Sequence, residues 1–150
     1  MSKYKNQQPG FLETIILAIG KGLWFLISWP FKKLFGKEKD KFDKVKNLEK
    51  WIEIEKLLDS GDEIHAEQAV VRADKFFDTQ LRQGGAKGQT FADRLRSWED
   101  HFNKNTYQMI WQAHKLRNQI AHDQEHKPSV NECKNALGKF RRGLENLGAL

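Results

Sequence analysis

The chain predicts an all-α fold: an up-and-down bundle of about five helices, preceded by a separate hydrophobic N-terminal helix. Three observations lead there. Apolar residues recur at steps of three and four in one segment after another, and no stretch alternates with period two. Glycine, proline or capping residues punctuate the periodic runs. By composition the 150 residues divide into a flexible N-terminus (1–10), a hydrophobic membrane-associating helix (11–35), a lysine-rich linker (36–43) and the bundle (44–150).

Residues 11–29 are almost wholly apolar. As a helix they reach roughly 28 Å, close to the ~30 Å thickness of the bilayer hydrocarbon. Lys21, between Gly20 and Gly22, sits near the middle, where a lysine costs on the order of 3 kcal/mol for spanning. Glu13, Thr14, Gly20, Lys21 and Ser28 fall on one arc of the helix and the rest of the circumference is apolar. Both an interfacial helix and a tilted span fit that pattern. The bilayer-contacting residues are then Phe11, Ile15, Ile16, Ile19, Leu23, Trp24, Phe25, Ile27 and Trp29. Lys32, Lys33, Lys37, Lys39, Lys41, Lys44 and Lys46 follow directly. If the segment spans, that lysine excess places the C-terminal domain on the cytoplasmic side of the membrane. Ser28-Trp29-Pro30 lacks the small-residue exit of a cleaved signal peptide.

The formal net charge of +6 belongs to this first part alone. Residues 1–47 hold ten lysines against Glu13, Glu38, Asp40 and Asp43, whereas residues 48–150 hold sixteen basic and sixteen acidic side chains. The basicity therefore suits a membrane surface and argues against a broad electrostatic nucleic-acid footprint on the bundle. Arg94, Arg96, Arg141 and Arg142 could still form a local basic patch. The single cysteine, Cys133, excludes an internal disulfide and reads as a core thiol. The five histidines have no metal-ligand spacing, and neither a metal nor a cofactor is expected.

Within the bundle, Val45, Leu48 and Ile52 together with Trp51, Ile54 and Leu58 make the first amphipathic helix, ending near Gly61. The second carries Ala66, Ala69, Val70, Ala73, Phe77 and Leu81 and stops at Gly84-Gly85. Gly84 to Thr90 fails the phosphate-loop spacing and reads as a linker. Thr90 caps a third helix with Phe91, Leu95, Trp98 and Phe102 on one face. A fourth covers about residues 106–122. Ser129 and Glu132 form a capping box for the fifth, whose seam is Val130, Cys133, Leu137, Phe140, Leu144 and Leu147.

The fourth helix holds the chemistry. Gln108, Gln112, Lys115 and Gln119 form a solvated face, and Met109, Ala113, Leu116 and Ile120 are expected in the core. Tyr107, Trp111, His114, Asn118 and His122 share about 80° of arc. Arg117 falls between that polar-aromatic stripe and the core. Arginine offers a fixed positive fork to a phosphoryl group, and histidine moves protons near neutral pH. The same residues can equally brace the bundle, with the Arg117-Asn118 pair bonded to Asp74 or Asp78 and His122 capping the helix end. Aromatics at this spacing are more often core than stacking platforms.

The phrase Leu116-Arg117-Asn118-Gln119-Ile120-Ala121-His122, late in the penultimate helix of an all-α domain and followed by a capped terminal helix, resembles the HEPN superfamily. The resemblance covers about residues 42–150 and implies a HEPN-like bundle. Many members are metal-independent ribonucleases whose Arg-x4-His motifs face each other across a homodimer cleft. It implies an RNA endonuclease, dimeric through the motif-bearing helices, with a catalytic set Arg117, Asn118 and His122, which the N-terminal segment outside the resemblance would hold at a membrane. His122 would be the general acid or base, Arg117 would stabilise the phosphorane and Asn118 would orient the pair. His114, Trp111 and Tyr107 would contact the RNA substrate. Other members are non-catalytic. They imply the alternative, a protein-interaction or nucleotide-binding module, tethered here by the N-terminal segment, in which these residues are structural and a partner protein is engaged.

Overall fold

A computed structural model describes residues 41–122 and 127–150. The expected flexible N-terminus (1–10), the hydrophobic helix (11–35) with its bilayer-contacting residues, and most of the linker lie outside the described residues. Among the described residues five α-helices follow in order: α1 (Lys44–Glu55), α2 (Glu63–Gly84), α3 (Phe91–Ser97), α4 (Lys104–His122) and α5 (Val130–Asn146). Short 3-10 turns, Lys56–Leu58 and Glu99–His101, extend α1 and follow α3. Among the described residues there is no strand, and no helix is long and apolar enough to cross a membrane.

Capping chemistry sets the boundaries. The Asp62 carboxylate accepts the backbone N–H of His65 at 3.0 Å and pairs with the His65 imidazole. The backbone bond, followed by the imidazole contact, holds the Asp62 carboxyl down at about 2. Gly85, at φ +100°, ends α2 in the left-handed conformation that a glycine adopts at least cost. Thr90 with Asp93 and Ser129 with Glu132 form the two capping boxes. Asn103 accepts the N–H of Thr106 at 2.9 Å at the start of α4.

The core lies where α5 packs onto both α2 and α4. Phe77 of α2 is fully buried and meets Phe140 at 5.8 Å, Phe91 at 5.9 Å and Phe102 at 6.3 Å between ring centroids. Gly143 permits the approach. A Cβ there would stand 2.6 Å from the Phe77 ring and 2.9 Å from Ile110. The predicted α5 seam is inside, with Cys133, Leu137, Phe140 and Leu144 buried and Val130 and Leu147 partly so.

Two expectations about faces change, and one about a helix end. On α1 only Trp51, Ile54 and Asn47 are buried, while Val45, Leu48 and Ile52 stay exposed. The described bundle packs against one side of this helix, and Asn47 donates to the Gln80 side chain and the Ala149 carbonyl, both at 2.9 Å. α3 ends at Ser97, although Phe91, Leu95, Trp98 and Phe102 are all buried as expected. α4 is turned relative to its expected setting. Thr106, Tyr107, Ile110 and Ala113 are its buried residues, whereas Met109, Leu116 and Ile120 are only partly covered. The rotation carries His114 and Arg117 towards α2.

Candidate functional site

Asp74 anchors the site. It lies on α2 between Val70 and Phe77, so the helical spacing that buries those two also takes a carboxylate inside, to 6% exposure. A buried carboxylate needs donors. α4 supplies them in a chain. His114 Nδ1 lies 2.6 Å from one Asp74 oxygen, Asn118 Nδ2 lies 3.1 Å from His114 Nε2, and Arg117 Nη1 donates to Asn118 Oδ1 at 3.1 Å. One proton assignment gives every contact one donor and one acceptor. Arg117 donates to Asn118, Asn118 to His114 Nε2, and the His114 Nδ1–H to Asp74. Arg117 also returns to the acid directly, with Nε 3.6 Å from the second Asp74 oxygen. That Nε is buried and has no hydrogen bond, so this contact is one of charge alone.

Aromatic rings hold the histidine in place. Phe91, the first residue of α3, stacks on the His114 ring with centroids 4.1 Å apart and planes 9° from parallel. Trp111 meets the imidazole edge-on at 6.0 Å and Tyr107 meets Trp111 at 6.1 Å. The Arg96 guanidinium stands 5.4 Å from the Trp111 ring centre. A cleft of about 400 Å³ opens over this network, with Val71, Asp74, Lys75, Phe91, His114, Arg117 and Asn118 among its lining residues.

The expected site residues are thus sorted. Arg117 and Asn118 are joined, and His114, expected as a substrate contact, is the centre of their network. Trp111 supports it from the side, and Tyr107 is buried beneath. His122 is exposed on the last turn of α4 and is not one of the residues lining the cleft. Asp74, named from the sequence only as a brace, is the acceptor on which the network converges.

The basic patch suggested by composition is largely consumed by pairing. Arg94 is buried and bonds both Asp78 oxygens, at 2.7 and 2.8 Å. Arg141 bonds Glu145 at 3.0 Å and Glu55 at 2.8 Å, which holds its guanidinium above the usual arginine range. No group of acids, histidines and cysteines among the described residues could hold a metal ion. No protein-family model matches the chain, and no curated protein or solved structure matches it.

Proposed function

We propose that this chain is a HEPN-like helical module held at a membrane by residues 11–35, and that its Arg117-Asn118 motif is an internal fastening rather than a cleavage centre. The observation that carries this reading is the destination of the arginine. Its guanidinium is turned to Asp74 and Asn118 within the same subunit, so its charge is already matched before any phosphate arrives. His114, held between Phe91 and Asp74, completes a link between α2, α3 and α4. A buried network joining three helices ties α4 to α2 and α3 and leaves the outer faces of the bundle for partners.

RNA cleavage is the second reading, favoured by the exposure of His122 one turn beyond Asn118 and by the third of the Arg117 side chain that stays accessible. Two such helix ends from two copies would bring the pieces together. The full-length protein, incubated with single-stranded RNA in EDTA, separates the readings. The fastening predicts intact RNA, together with a melting temperature that falls on Arg117→Ala and is unmoved by His122→Ala. RNA cleavage abolished by His122→Ala would replace it with the endonuclease.

A further inference from the structure

The first helix of the bundle carries an apolar row that no described part of the chain covers. Val45 is 72% exposed, and Leu48 and Ile52 are each 43% exposed. They stand three and four residues apart and so form one row along α1, about 120° round the helix from the buried Trp51 and Ile54. Single exposed apolar side chains are ordinary, but a continuous row marks a surface that meets something.

The border of the row says what. Lys44 lies one turn before Leu48 and Lys56 one turn after Ile52, both exposed. Glu55, on the flank, bonds the Arg141 guanidinium at 2.8 Å and shares it with Glu145. Glu49 is the other carboxylate alongside. The chain adds a second argument. Only residues 30–44, rich in lysine, separate the row from the hydrophobic residues 11–29. Covalent geometry limits that separation to about 55 Å even at full extension.

We infer that Val45, Leu48 and Ile52 form a membrane-docking face that lays α1 against an anionic bilayer surface, an inference that rests on the reading of residues 11–35 as membrane-associated. Three aliphatic side chains are too few to hold a free protein on lipid, because stable attachment takes two signals. The anchor supplies the first signal and makes the second contact intramolecular, at high effective concentration. The three side chains enter the headgroup–acyl boundary while Lys44 and Lys56 meet anionic headgroups. Docking would give the bundle a fixed face towards the membrane.

The test uses the full-length protein in vesicles of phosphatidylcholine and phosphatidylglycerol. A polarity-sensitive dye is placed on Leu48→Cys and, as a control across the helix, on Lys50→Cys. The native Cys133 is buried and stays unlabelled in the folded protein. Lipids brominated in the acyl chain should quench the Leu48 dye several-fold more than the Lys50 dye. If the protein floats with the vesicles while both dyes remain unquenched, the docking face is refuted and the anchor stands. If the protein does not float, anchor and docking face fall together. If the Leu48 dye is shielded from water only as protein concentration rises and never by lipid, the row belongs to a second copy and the proposal is overturned.

Discussion

Helix α2 joins the bundle in two different ways, three residues apart. Phe77 enters an apolar seam with Phe140 and Phe102, whereas Asp74 enters a polar network with His114 and Arg117. The apolar seam draws its strength from area and shape, and each ring contributes whatever its neighbours do. The polar network must recover the cost of taking a carboxylate out of water, and it does so only while every member is in place. The seam accounts for cohesion. The network accounts for how α4 is set against α2, because His114 and Arg117 of α4 both turn to the Asp74 carboxylate of α2.

Breaking the seam should cost most. Phe77→Ala removes a fully buried ring between three others, and chemical denaturation should show a loss of about 3–5 kcal/mol. An effect below that of Asp74→Ala would reverse the ranking of the two joints. Asp74→Ala comes next, at about 2–3 kcal/mol, because it strands the His114 donor and leaves Arg117 without its acid. The value sits below that of a fully buried pair because Arg117 is a third exposed and can turn to water. Asp74→Asn, which keeps an acceptor for His114, should lose less.

The smallest effect is a chemical mark on the seam. Burial, with Glu67, Glu132 and Glu63 nearby, pushes the Cys133 thiol up from 9.0 to about 11. Its neutral form belongs to the native state, so this contribution to stability is complete below pH 9 and is lost as pH rises through 11. Alkylation with iodoacetamide at neutral pH should be negligible in the native protein and rapid in denaturant. Comparable rates in both would mean that the seam around α5 opens readily.

Much of this could be read before any coordinates. The helix ends announced themselves through local chemistry: Gly85 past the end of α2, Thr90 before α3, Ser129 and Glu132 at α5. Asp74 carried a signal too, since a carboxylate at the spacing of Val70 and Phe77 must find partners. Its partner was harder to name, because Asp74 and His114 are 40 residues apart and pair only after α2 and α4 have packed.

The sequence by itself determined the all-helical class, the helix caps, the α5 seam and the clustering of polar and aromatic groups on α4. These follow from periodicity and from bonds spanning three or four residues. Tertiary structure decided which of two apolar rows on α1 went inside, how far α4 turned, and that Arg117 faces Asp74 while His122 stays outside the cleft. A helix with two admissible faces has no local preference between them. The choice falls to the neighbouring helices, through the volume Phe77 and Gly143 leave to fill and the charge on Asp74 that must be met.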